Sequence, residues 1–195
     1  MATACLSNTD RMVRISKELS FLLRHKPPPG MTSDGYMPLP ALLTHMKQRP
    51  SEQEVRSVVS CDAKNRYNID DSTNPARIRA NQGHSYEVQD LELQPITDAS
   101  QVPFAVHVTG RQGLEAIQKT GEIRRMARTH IHFASEARHM RANAWANVLL
   151  KLDLEKALKE GYKFFRSSNG VILTEGPISV KLLMPVTKDE VLTKK

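Results

Sequence analysis

An α+β protein built from two units is the architecture this sequence predicts, and three observations carry it. Residues 10–80 contain three helical patterns followed by two alternating segments, whereas the chain from residue 104 onward is rich in strand patterns and turn signals. The charge divides at the same place. Residues 1–103 hold 12 Lys/Arg against 12 Asp/Glu, and residues 104–195 hold 16 against 9, so the whole net charge of +7 is in the second part. The expected boundaries are a first lobe over residues 1–96, a linker over 97–103 and a second lobe over 104–195. At 195 residues, with 39% hydrophobic and 25% charged residues, the chain can bury real cores and is neither fibrous nor disordered.

The first helix is expected from Asp10 to His25. Asp10 caps it, Met12, Ile15, Leu19 and Leu22 recur at helical spacing, and Pro27, Pro28 and Pro29 stop it. Asp34-Gly35 marks a turn and Tyr36–Leu39 a short extended piece, before a helix around Ala41–Met46. Ser51 with Glu54 three residues on is a capping box, which opens a third helix through Val55, Val58 and Val59. Residues 66–70 and 76–80 then alternate in polarity across Asp71–Pro75, as a hairpin does. Three helices and a hairpin are the order of a winged-helix module.

In the second lobe Phe104–Val108 reads as a buried strand, Leu114 and Ile117 as a short helix closed by Gly121, and Thr129–Ala134 as a strand. Val148–Asp153 and Tyr162–Arg166 are also strand-like, and Asn169-Gly170 is a hairpin turn leading into Val171–Thr174. Trp145, the single tryptophan, is expected in the core.

Several chemistries are excluded or disfavoured. The glycines form neither Gly-x-Gly-x-x-Gly nor a P-loop, and there is no Gly-x-Ser-x-Gly elbow and no His-Glu-x-x-His. No apolar run approaches the ~20 residues that cross a bilayer, and residues 1–10 lack the basic stretch and apolar core of a secretory signal. An intracellular protein is expected, cytoplasmic or also nuclear, with no membrane partner. Cys5 and Cys61 are too few and too far apart for a disulfide framework, which predicts inert thiols in a reducing compartment. A pI near 9.5 fits a polyanionic partner such as nucleic acid, and equally a solvated basic surface.

Singly, each candidate site residue has a structural explanation. Arg24 and His25 are cations at a helix C-terminus, where the macrodipole favours them by about 0.3–1 kcal/mol. Arg77 and Arg79 share one face of a strand and read as charges guarding a sheet edge. Arg166 precedes the plain turn Ser167-Ser168-Asn169-Gly170. His130 and His132, at His-x-His spacing on one strand face, raise the question of a metal, but no third ligand is evident and none is predicted. His107 reads as a core histidine.

Together the pieces become specific. Leu23-Arg24-His25, Asp34-Gly35, Ile78-Arg79-Ala80-Asn81-Gln82-Gly83-His84-Ser85, Arg128-Thr129-His130-Ile131-His132 and Phe165–Thr174 closely resemble, in order, the RNA 2′-phosphotransferase family, tRNA splicing enzymes that use NAD⁺. The resemblance runs from about Ile15 to about Pro185. It implies a winged-helix RNA lobe, an ADP-ribosyltransferase-like NAD lobe and an active site in the cleft between them. It also maps the family's Arg-His-Arg-Arg quartet onto Arg24, His25, Arg79 and Arg166. His107, Thr109, Arg128, His132, Arg141, Asn169 and Gly170 fall at its NAD-side motif positions. Val108 departs from the pattern, standing where the family has glycine.

The implied reaction begins with the RNA 2′-phosphate attacking the nicotinamide ribose, which expels nicotinamide and leaves 2′-phospho-ADP-ribosylated RNA. The ribose 2″-hydroxyl then attacks the phosphorus, releasing 2′-OH RNA and ADP-ribose 1″,2″-cyclic phosphate. A phosphate near its dianionic form suits several forked guanidinium donors. His25 either donates to that phosphate or moves a proton. Val171-Ile172-Leu173 lies where related transferases carry a glutamate, and Glu175 is the nearest replacement. The implied partners are NAD, consumed as co-substrate without a metal, and tRNA with an internal 2′-phosphate; the protein is expected to act as a monomer. Two other functions fit the residues: an ADP-ribosyltransferase acting on terminal phosphates of RNA or DNA, and a non-enzymatic winged-helix RNA-binding protein.

Overall fold

The structure, a computed structural model, describes residues 10–140 and 143–192. The chain divides into two compact units, residues 1–91 and 92–195.

In the first unit, α1 (Asp10–His25) buries Ile15, Leu19 and Leu23 along one stripe, as their four-residue spacing requires. The short β1 (Met37–Pro38) runs directly into α2 (Leu39–His45), where a proline at the helix start costs no intrahelical hydrogen bond. The capping box forms at α3 (Glu52–Ser60): Ser51 accepts from the Glu54 amide and the Glu54 carboxylate accepts from the Ser51 amide. β2 (Tyr67–Asp70) and β3 (Arg77–Ala80) form the expected hairpin, with Asn68 opposite Arg79. β1 pairs with the other side of β3, so the sheet order is β1-β3-β2. The strand carrying Arg77 and Arg79 is therefore central, which corrects its reading as a guarded edge. Ile78, fully buried, anchors it in a core shared with α1, α2 and α3.

The second unit begins earlier than expected. β4 (Gln94–Ile96) pairs with β9 (Phe164–Arg166), so residues assigned to the first lobe belong to a sheet of the second. Residues 97–103 are not a linker either: Asp98 caps a helical turn over Ala99–Gln101, and Val102 is buried in the second core. An apolar side chain inside a polar run was the overlooked signal. With this division the first unit holds 12 Lys/Arg against 10 Asp/Glu and the second 16 against 11, so +2 and +5 rather than none and all.

The remaining order is β5 (Val106–Thr109), α4 (Arg111–Thr120), β6 (Glu122–Ile123), β7 (Ile131–Phe133), β8 (Val148–Leu152) and α5 (Leu154–Lys159), then β9. After β9 come β10 (Ile172–Thr174), β11 (Ile178–Ser179), β12 (Leu183–Val186) and α6 (Lys188–Leu192). The sheets are antiparallel, ordered β4-β9-β10-β7, β12-β8-β5 and β11-β6. Val106 and Ala134 exchange two backbone hydrogen bonds, at 2.9 and 2.7 Å, which join the first two. Phe133 and Phe164 meet edge to face, 6.4 Å between centroids, in the core. The molecule is thus mixed α and β with small antiparallel sheets, and no described helix is long and apolar enough to cross a membrane.

Two further expectations fail. Trp145 is 55% exposed, not core. It lies outside the regular elements, and only its backbone and one ring edge approach Gly110, where a Cβ would come within 2.6 Å of the Trp145 carbonyl oxygen. Cys61 is joined in a disulfide rather than a free thiol, and Cys5 lies outside the described residues.

Candidate functional site

In the first unit the candidate residues gather around the end of α1. Arg24 is buried, 7% exposed, although it stands in the last turn of a helix, whereas the adjacent His25 is exposed. Burying a guanidinium is costly, so the macrodipole alone does not account for Arg24. The tract after β3 explains the geometry. Ser85 gives its amide (2.8 Å) and hydroxyl (3.2 Å) to the Arg24 carbonyl, and Tyr86 gives its hydroxyl to the Leu23 carbonyl at 2.7 Å. These donors close the helix end, where no later turn supplies N–H groups to the last carbonyls. Burial pushes the Tyr86 phenol up to about 12, so it remains a donor at neutral pH.

Gly83, at φ +86°, lies against the Arg24 side chain, where a Cβ would sit 3.6 Å from Cδ, Nε and Cζ. The left-handed backbone there favours glycine. Asn81, Gln82 and His84 flank it and are all buried. The Asn81 amide nitrogen donates to the Asn65 carbonyl at 2.6 Å, which ties the tract to the turn before β2. That turn is organised by Asp62, which accepts from the Arg66 amide at 2.6 Å and from its guanidinium at 2.9 Å. Burial alone would raise the Asp62 carboxyl, but the Arg66 hydrogen bonds outweigh it and leave it below its ordinary value.

Arg79 is 4% exposed, and its guanidinium carbon sits 4.6 Å from the Tyr36 ring centroid. Arg77 also packs on Tyr36, at 4.3 Å, but is half-buried and ion-paired with Asp70 at 2.8 Å and with Asp34 at 3.5 Å. Hydrogen bonds from Ser72, and then from Arg77, hold the Asp70 carboxyl down at about 2. Two arginines on one strand face thus have different work: Arg77 ties strand and turns together, and Arg79 is buried against the Tyr36 ring.

In the second unit, His107 on β5 and His132 on β7 are neighbours, with the His107 Nδ1 3.1 Å from the His132 carbonyl. His130 lies just before β7, beside the Thr129 hydroxyl at 2.9 Å, so the two histidines are not paired on one strand. Burial lowers the His130 imidazole below its usual range. Among the described residues no group of three His, Cys, Asp or Glu is arranged to hold a metal ion. Val108 pairs opposite Leu149 and packs on a small apolar cluster with Val106, Ala134 and Met140, which gives its side chain a structural place. Thr109 ends β5 over Gly113 in α4, where a Cβ would fall 2.1 Å from its hydroxyl oxygen. Arg128, half-buried, precedes β7. Arg141 lies outside the described residues.

Arg166 ends β9, half-buried, and donates to the Gln101 carbonyl. The turn that follows is tightly bonded. Gly170, at φ +88°, gives its amide to the Ser167 carbonyl at 2.8 Å, and the Ser167 hydroxyl contacts the Asn169 side-chain oxygen at 2.8 Å. Its outer wall was not visible in sequence: Ser135, Glu136 and His139 reach it across 30 or more residues of chain. Tyr36 and Tyr86 were likewise missed, because neither a ring under a buried cation nor a phenol closing a distant helix end leaves a local pattern.

The profile of the RNA 2′-phosphotransferase, Tpt1 / KptA family, matches residues 10–176, most of the chain. This protein belongs to that family. The tRNA 2′-phosphotransferase 1 of Bos taurus is 42% identical over 182 residues, covering 86% of this chain and 70% of its own length. That of Danio rerio is 40% identical over 181 residues, covering 85% and 79%. The tRNA 2′-phosphotransferase of Saccharomyces cerevisiae is 33% identical over 198 residues, covering 93% and 86%. The stretch shared with the Tpt1 / KptA family takes in both units, from α1 through the turn after Thr174, and so includes every candidate described above.

Proposed function

We propose that this protein is an NAD-dependent tRNA 2′-phosphotransferase, its first unit a winged-helix RNA lobe and its second an ADP-ribosyltransferase-like NAD lobe. The observation that carries the reading is the burial of Arg24 and Arg79 around the Asn81–Ser85 tract, in a chain of this family. Desolvated guanidiniums held by an aromatic ring and a glycine are suited to a multiply charged phosphate, because their orientation is set before the ligand arrives. In this reading Arg24 and Arg79 orient the 2′-phosphate and stabilise charge spreading over its oxygens. Arg166, in the second unit, is the remaining arginine of the quartet that the family resemblance implies. His25, exposed beside Arg24, holds or moves a proton at a phosphate oxygen.

The second unit fits a dinucleotide by its donor set. His107, Thr109, Arg128 and His132 supply imidazole, hydroxyl and guanidinium groups, and Asn169 adds a side-chain amide. When bound, NAD supplies the ribose carbon that takes up the 2′-phosphate, with departure of nicotinamide, and carries the phosphate off as ADP-ribose 1″,2″-cyclic phosphate. Thr109 and Arg128 orient the nucleotide, and Asn169 and Gly170 line it. Winged-helix and transferase architecture are supported by the helix–helix–helix–hairpin order of the first unit and the small antiparallel sheets of the second.

Incubation with an RNA carrying one internal 2′-phosphate, with and without NAD⁺ and with chelator present, tests the reading. NAD-dependent release of nicotinamide and the cyclic phosphate is expected, without added metal. A stable ADP-ribosylated RNA end would instead identify a terminal-phosphate ADP-ribosyltransferase. RNA binding without any NAD-dependent product would leave a non-enzymatic RNA-binding protein.

A further inference from the structure

We propose that His139 is a positioning residue for the turn joining β9 to β10, holding the Asn169 carbonyl directly and the Gly170 carbonyl by way of Ser135. This deepens the reading of that turn as part of an NAD site and rests on it. The His139 side chain is only 2% exposed, at the end of the helical turn Ala137–His139. Its Nε2 lies 2.9 Å from the Asn169 carbonyl oxygen, which can only accept, so Nε2 carries a proton. Its Nδ1 faces the Ser135 hydroxyl oxygen at 3.4 Å. Ser135 in turn gives its hydroxyl proton to the Gly170 carbonyl, at 2.6 Å, so the ring packs on the group that holds the second carbonyl.

Charged groups of both signs lie around the ring. Glu136 places a carboxylate oxygen 4.0 Å from Nε2, and its carboxyl is held below its ordinary value by the Arg138 hydrogen bond, with smaller contributions from His139 and Arg166. Arg138 belongs to the same turn as His139, and Arg166 comes from β9. Gly170 completes the arrangement. A Cβ there would meet the Glu136 carboxylate at 3.0 Å and the His139 Cε1 at 3.2 Å, so the turn can lie directly against the pair.

Two successive carbonyls of one turn are thus fixed from outside, one by His139 and one through Ser135. The consequence is preorganisation: Asn169 and Gly170, three and four residues beyond Arg166, keep one conformation before any nucleotide binds. His139 itself touches no reacting atom. Its loss should weaken NAD capture while leaving phosphate chemistry in place.

The test uses the full chain with His139→Ala, His139→Gln and Ser135→Ala. His139→Ala should raise KM for NAD by about tenfold or more with kcat within about threefold, the pattern of a displaced binding turn rather than lost chemistry. His139→Gln, whose amide still donates to Asn169, should recover most of the loss, and Ser135→Ala should fall between. An unchanged KM for NAD in His139→Ala would overturn the proposal. Nitrogen-15 NMR of the wild-type ring at neutral pH provides a readout without turnover. A protonated Nε2 is expected, and a bare Nε2 would overturn the clamp even if His139→Ala fails to fold. Amide exchange at Gly170 and Val171 should quicken in His139→Gln relative to wild type. Slowed NAD turnover in the variants of an active wild type supports the clamp, whereas a wild type inert toward NAD with a protonated Nε2 and a protected turn refutes the function and leaves the clamp standing.

Discussion

Arg79 and Arg166 are both strand arginines of the same predicted quartet, yet the two units hold them differently. Arg79, in the central strand of a three-stranded sheet, is 4% exposed and packed on Tyr36. Arg166, at the end of β9, is half-buried and attached to one loop carbonyl, that of Gln101. A guanidinium fixed by sheet and ring loses little freedom when phosphate binds, whereas one held by a single loop contact can be exchanged from that carbonyl to a ligand. The comparison teaches that the first unit carries a rigidly held guanidinium and the second a more adjustable one.

The largest expected effect tests the rigid side. Arg79→Ala should slow single-turnover dephosphorylation by at least ~100-fold, the scale for losing one preorganised charged donor. Its neighbour Arg77 pairs with Asp70 and Asp34, so Arg77→Ala should instead lower thermal stability and slow the reaction much less. Circular dichroism separates the two, and equal rates for both variants would remove Arg79 from the site.

A smaller effect is expected on the nucleotide side. Gly113→Ala puts a Cβ where the Thr109 hydroxyl now sits, 2.1 Å away, so Thr109 must turn aside. KM for NAD should rise by roughly tenfold while RNA affinity holds, as steady-state kinetics and a filter-binding titration would read out. A parallel loss of RNA affinity would blur the division of labour between the units.

The smallest effect concerns the frame behind the buried tract. The Asp62 carboxyl is lowered in the folded state, so the stability it adds is complete above the ordinary carboxylate range and is lost as pH falls through the lowered value. Asp62→Asn should cost about 1.5–3 kcal/mol at neutral pH and progressively less toward pH 2, measured by urea unfolding. A difference independent of pH would show that packing, not charge, is what Asp62 provides.

Local patterns carried over into the fold most directly. The Ser51–Glu54 capping box, the stripe of α1, the 67–80 hairpin and the Asn169-Gly170 turn are each legible in a few consecutive residues, and each forms where its residues call for it. The boundary was legible only approximately. β4 is short and proline-containing, with no period to detect, and only its pairing with β9 shows which unit owns it. Trp145 misled because size predicts burial only when a surrounding element carries the ring inward, and residues 143–147 form no such element.

The sequence by itself determined the family and, through it, which residues are candidates for the chemistry, since motif order survives without coordinates. Tertiary structure decided their states. Arg24 and His25 are adjacent in sequence, but the chain from Asn81 to Tyr86 folds over one of them and leaves the other exposed. His139 owes its place to a carbonyl 30 residues later, that of Asn169. Burial, hydrogen-bond direction and pKa are set by whatever lies across space, and no local pattern records contacts between distant parts of the chain.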